Sequence, residues 1–282
     1  MASAPSIALV ANRKSGSGGA DAVVDRLRGA GADVRAFDLD QLAEAVESGR
    51  DRLAIAGGDG SIAPAASRAG KEGMPIAVIP IGTANDFASA AGLPEAVDAA
   101  CRTALFGSRT RPVDIGWVGE RPFVNAVSVG LSPKAARRAA GLKGRLGPLA
   151  YFVGALGAGL RAQPVECAVS CDGERLFSGS AWQAILARSG AFGAGSSVRG
   201  SLDDGRLHVV AVPAGPRPFL LWRAYGMRRA AVEGQRDVRV SDCREAELEV
   251  GPGTDLNVDG EIVESGAVGL RVEPGAFELV VG

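Results

Sequence analysis

The feature that most constrains this chain is a regular alternation over its first hundred residues. Short apolar runs alternate with amphipathic stretches, and most of the runs end in a glycine-bearing loop. IALVAN leads into RKSGSGG, and residues 20–30 then place Val23, Val24 and Leu27 on one side of a predicted helix. DVRAF, RLAIAGGDG and PIAVIP read as further strands, separated by the helical stretches DQLAEAVESG and SIAPAASRAG. Two more helical stretches flank Pro94. Runs this apolar, alternating with helices, predict a parallel sheet covered on both faces.

Near Arg111 the pattern changes. VDIGWV and FVNAVSVG, separated by GERP, read as a hairpin, and a basic helical stretch follows. Beyond it, alternating runs are broken by Asp172-Gly173, Asp204-Gly205 and Asp259-Gly260, the residue pair that hairpin turns favour. The expected fold is therefore α/β. Residues 1–110 are expected to form a three-layer domain with a parallel sheet, and residues 111–282 a mostly antiparallel, sandwich-like β domain.

Composition narrows the function. A formal net charge of −1 gives no global basic field, which argues against nucleic acid as a partner. The N-terminus, MASAPSIALVAN, lacks the basic and apolar regions of a secretory signal. Cys101, Cys167, Cys171 and Cys243 form no CxxC pair and read as buried free thiols of a reducing cytoplasm. Leu146–Leu160 is too short and interrupted to span a bilayer, which needs about 20 apolar residues. The single histidine, His208, lies in the strand-like run LHVVAV as a half-buried residue, so acid–base chemistry falls to carboxylates.

Three loops follow predicted parallel strands: residues 12–18 (NRKSGSG), 57–61 (GGDGS) and 80–87 (PIGTANDF). In open α/β sheets ligands bind at the carboxyl ends of strands, and glycine lets the backbone approach an anion. Each loop alone could be a plain turn, and none has the Walker A spacing. Asp59 is out of place in a loop that only holds phosphate. A carboxylate there points to a cation or an attacking hydroxyl between it and the anion, and so to phosphoryl transfer.

GGDGS followed by PIGTANDFA resembles the diacylglycerol kinase catalytic family, which includes bacterial lipid kinases and sphingosine kinases. NAD kinases and phosphofructokinases share the GGDG loop. The resemblance continues through VDIG, FVNAVSVG, SLDDGRLHV, VDGE and EPGAFELVV. It implies that Gly57, Gly58, Asp59 and Gly60 contact ATP phosphates, with Ser61 supplying a hydroxyl. Asn12, Ser15 and Gly16 match an NPxSG loop in which Arg13 replaces the proline, while Gly82, Thr83 and Asn85 fall in the second nucleotide loop. It also implies that Asp204, with Asp59, organises magnesium, and that Asp259 and Glu261 form the acidic pair carrying the general base.

The family offers Asp59 and Asp259 as alternative bases. Magnesium beside Asp59 would hold it as an anion and make it a poor base, whereas repulsion from Glu261 would raise Asp259. Asp259 is therefore the expected base, Glu261 its orienting partner and Asp59 the metal organiser. Read without the family, Asp259-Gly260 is equally a hairpin turn.

The implied activity is an ATP- and Mg2+-dependent transfer of the γ-phosphate to the hydroxyl of a lipid such as diacylglycerol. A kinase of a soluble alcohol and a catalytically weak nucleotide-binding protein are the alternatives. Lys134, Arg137, Arg138, Lys143 and Arg145 precede an apolar stretch, and Arg217, Arg223, Arg228 and Arg229 lie beside Phe219, Leu221 and Trp222. Such mixtures suit peripheral docking of a cytoplasmic protein on the inner face of the membrane. They equally suit helices that cover the β domain. A homodimer is compatible with the sequence but not specified by it.

Overall fold

Three apolar runs of the first half, IALVA, LAIAG and IAVIP, are buried end to end because both of their faces are covered. VRAFD, at the sheet edge, is buried only in part. The computed structural model describes residues 5–11, 19–130, 163–191, 198–216 and 232–282. Strands β1 (Ile7–Ala11), β2 (Val34–Asp38), β3 (Arg52–Gly57) and β4 (Ile76–Pro80) form a parallel sheet in the order β2-β1-β3-β4. Helices α1 (Gly19–Gly29) and α5 (Val97–Phe106) pack on one face through Val23, Leu27, Ala100 and Ala104. On the other face lie α2 (Leu42–Val46), α3 (Asp59–Lys71) and α4 (Asp86–Ala90), burying Val46, Ile62, Ala66 and Phe87. The three layers match the expectation.

The second half is largely antiparallel. Strands β5 (Arg109–Val118) and β6 (Arg121–Phe123) make a hairpin, with Gly116 opposite Phe123. The run FVNAVSVG, expected as one strand, breaks after Phe123. Its remainder becomes β7 (Ala126–Gly130), which pairs elsewhere. Strands β8 (Val165–Cys171), β9 (Glu174–Ala187), β10 (Leu207–Pro213), β11 (Arg239–Cys243), β12 (Glu245–Val250), β13 (Thr254–Val258) and β14 (Glu261–Ser265) complete the β region around Val129, Val169, Leu186 and Leu248.

Asp172-Gly173 and Asp259-Gly260 turn β8 into β9 and β13 into β14. Both pairs have the two positive φ values of a type I′ turn, 48° and 83° in the first and 48° and 91° in the second. Asp204-Gly205 does not join two paired strands; it lies in the turn that leads into β10.

The last strand, β15 (Val268–Val281), crosses the division expected at residue 110. Its first half pairs antiparallel with β12 and β5. After a break in register between Glu273 and Phe277, it continues along β5 and meets β4 in parallel, with Leu279 opposite Ile76. Phe277 and Leu279 thereby join the core of the α/β layer.

Candidate active site

Because Gly57 of β3 is in register with Pro80 of β4, the loops that follow these strands lie side by side. They touch at glycine. A Cβ on Gly82 would stand 2.5 Å from the Gly58 Cα, closer than any side chain tolerates. Asn85, at φ 54°, shapes its own loop. Its Oδ1 accepts the Gly82 N–H at 3.0 Å and its Nδ2 donates to the Gly82 carbonyl at 3.1 Å. Gly60, Gly82, Thr83 and Ala84 remain exposed, a stretch of backbone open to a ligand.

The carboxylate of Asp59 turns away from that surface. The residue is 9% exposed, and its oxygens accept the N–H groups of Asp86 at 3.1 Å and Phe87 at 2.8 Å. These are the opening residues of α4, whose N-cap residue Asn85 offers no side-chain cap. Asp59 therefore satisfies donors that a helix start leaves unpaired. It also accepts from Asn125 Nδ2 at 3.0 Å. This resolves the oddity of an acid in a phosphate-type loop: its charge is spent inward.

Asp259 approaches from the β region. Its carboxylate accepts the N–H groups of Val124 at 2.7 Å, Asn125 at 2.9 Å and Ala126 at 3.0 Å. The break in FVNAVSVG exists where these amides turn toward it. Burial pushes the Asp259 carboxyl up to about 7, the three amides oppose the rise, and the charge of Asp59 adds to it.

Glu261 is not the source of that rise, nor does it orient Asp259. It is exposed, forms an ion pair with Arg121, and lies over Gly60, where its Oε1 is 2.9 Å from the place a Cβ would take. The two acidic motifs thus meet, with backbone amides doing the orienting expected of Glu261.

Asp204 belongs to a different cluster. It accepts from Arg188 Nη1 at 3.1 Å and from the Arg206 N–H at 3.0 Å. Arg188, 1% exposed, also donates through Nη2 to the buried Asp114 at 2.5 Å. Asp114 in turn accepts the Gly205 and Gly275 amides at 2.7 and 2.8 Å. The expectation that Asp59 and Asp204 hold one magnesium does not fit these partners, since Asp59 is enclosed by N–H donors and Asp204 faces a guanidinium. Among the described residues no three His, Cys, Asp or Glu side chains gather as a metal site.

Asn12, Ser15 and Gly16 lie outside the described residues, as do the basic stretches at 134–145 and 217–229. Among the described residues no helix is long and apolar enough to cross a membrane. The four cysteines are free and buried. His208 is more buried than expected, 5% exposed, and bonds to Asp242 through Nδ1. Sequence reasoning missed Asn125, Ser189 and Arg188 as site residues. The available signal was a polar residue interrupting a buried apolar run, which Asn125 gives and the other two, at the end of such a run, give only weakly.

Residues 6–118 match the family model of the diacylglycerol kinase catalytic domain, and residues 125–281 that of the YegS C-terminal NAD kinase beta sandwich-like domain. The chain belongs to the diacylglycerol kinase catalytic-domain family. It is similar to the "Probable lipid kinase YegS-like" of Pseudomonas aeruginosa (strain PAO1), 31% identical over 253 residues that cover 84% of this chain and 78% of the relative. The diacylglycerol kinase of Bacillus subtilis (strain 168) is 30% identical over 218 residues, covering 75% of this chain and 71% of that one.

A crystal structure of a diacylglycerol kinase from Bacillus anthracis str. Sterne shares the fold at 18% identity and a TM-score of 0.77, covering 100% of this chain and 99% of that one. The NAD kinase of Archaeoglobus fulgidus in complex with ATP matches at 13% identity and a TM-score of 0.53, covering 98% and 93%. As a member of this lipid kinase family, the chain is a phosphotransferase with an alcohol group as acceptor.

Proposed function

We propose that this enzyme transfers the γ-phosphate of ATP to the hydroxyl of a membrane lipid of the diacylglycerol kind, with Asp259 as general base. The observation that carries the reading is the Asp259 carboxyl, pushed up to about 7 and set against the Asp59 loop by way of Asn125. A carboxylate poised near neutral pH can take a proton from an alcohol as the alcohol oxygen bonds to phosphorus and ADP leaves. The exposed backbone at Gly60 and Gly82–Ala84, at the start of α3 and beside it, is where the ATP phosphates would lie. The inward carboxylate of Asp59 leaves that backbone free of repulsion.

Magnesium is proposed as the counter-ion of the ATP phosphates, arriving with the nucleotide. The basic and apolar stretches around residues 134–160 and 217–229 would bring the enzyme to the lipid surface. The test is a screen of lipid and soluble alcohols with ATP, read by product mass. Asp259→Asn should lower kcat by roughly 10²–10⁴ and leave ATP affinity nearly unchanged. Normal turnover by that variant removes Asp259 from the role. Phosphorylation of soluble alcohols without vesicles overturns the lipid assignment.

A further inference from the structure

Asn125 occupies a position that neither its family membership nor the acidic motifs explain. It is 2% exposed and sits at the break between β6 and β7. Its backbone N–H donates to Asp259 Oδ1 at 2.9 Å, and its side-chain Nδ2 donates to Asp59 Oδ1 at 3.0 Å. Its carbonyl accepts the Arg188 N–H at 2.7 Å. Its amide oxygen accepts from Ser189 Oγ at 2.7 Å, and that same Ser189 oxygen accepts the Ala191 N–H at 3.3 Å.

The orientation of this amide follows from its neighbours. A carboxylate can only accept, so the NH2 end must face Asp59 and the oxygen must face the Ser189 hydroxyl. Every polar group of Asn125 is thus used, and the four bonds reach the end of β9, the α3 loop and the β13–β14 turn. Leaving any of these groups unpaired at this depth would forfeit a hydrogen bond that water cannot replace, so the arrangement is held as a set.

We infer that Asn125 is a positioning residue that fixes Asp259 relative to the Asp59 loop, and that Ser189 locks the Asn125 amide in the orientation this requires. The inference rests on the proposed role of Asp259 in phosphoryl transfer. Without the Ser189 hydroxyl, the amide loses its anchor, Asp59 loses a directed donor, and the break that aims three amides at Asp259 loosens. The gap between the base and the loop that would carry the donor phosphate is then no longer fixed. Displacements of about 1 Å at such a gap cost on the order of 10²-fold in rate.

The test uses the whole chain. Ser189→Ala should lower kcat by about tenfold or more while the KM values for ATP and lipid stay within about twofold, and Ser189→Thr, which keeps a hydroxyl, should restore it. A purely structural pair would shift the melting temperature without this split. A second readout is independent of activity. In 15N-asparagine-labelled protein, the Asn125 side-chain NH2 signals, assigned by their loss in Asn125→Ser, should be protected from solvent exchange. Protection should fall by about tenfold in both Ser189→Ala and Asp59→Ala, because either change removes one end of the chain of bonds.

If the exchange changes appear but wild-type enzyme phosphorylates no lipid alcohol, the hydrogen-bonded chain stands and the phosphotransfer reading falls. If transfer is normal and Ser189→Ala matches wild type in both readouts, the positioning role is wrong and the transfer reading survives.

Discussion

Asp259 ties stability and activity to pH in opposite directions. Its carboxyl is pushed from an ordinary 3.8 up to about 7, so between those values the native state holds a proton that the unfolded chain has released. Its contribution to stability is fully present below about pH 4 and is lost as pH rises through about 7. Urea denaturation at several pH values should show that decline, and Asp259→Asn should flatten it. In the proposed role Asp259 must be unprotonated to act as base, so kcat/KM is expected to rise with pH through a limb near 7.

Asp259 itself was legible, because its motif and the scarcity of histidine both point to it. The cause of its shift was not. A neighbour in sequence, Glu261, suggested repulsion, but in a hairpin the residues beyond the turn face their own partners, and Glu261 turns to Arg121. Asp59 was legible as a member of the site yet not in its role. The donors that occupy it belong to Asp86, Phe87 and Asn125, all remote in sequence, and no local pattern announces such bonds.

At the scale of elements, the two glycine loops form one unit through backbone contact. Gly82→Ala should force Gly58 and Gly82 apart, with Cβ at 2.5 Å from a backbone atom that has little room to yield. A loss of about 1–3 kcal/mol is expected from overpacking of this kind, together with a raised KM for ATP, measured by thermal unfolding and steady-state kinetics. An unchanged KM would mean that nucleotide does not bridge these loops. The alternation of strands and helices was readable because a strand covered on both faces must be apolar throughout. Hairpins at Asp172-Gly173 and Asp259-Gly260 were readable for the same local reason, the positive φ at both turn residues. Asp204-Gly205 has the same letters but serves the Arg188 cluster, which only tertiary structure reveals. The break in FVNAVSVG was invisible because its cause, Asp259, lies far along the chain.

Across the whole molecule, β15 joins two regions that the sequence presents as consecutive. Phe277 is buried in the α/β core while Leu270 of the same strand is buried in the β core. Phe277→Ala should therefore cost roughly 3–5 kcal/mol and move a single coincident transition, followed by far-UV circular dichroism and by tryptophan fluorescence. Two separated transitions would mean that the regions unfold independently. The pairing of Leu279 with Ile76 also carries a temporal cost during synthesis. About 200 residues separate the partners, so at ribosomal speeds β4 waits on the order of ten to forty seconds for its neighbour. Until then the nascent sheet presents an open edge on which another chain can dock, and ribosome stalling within that window is a hazard to solubility that stalling after β15 has emerged is not.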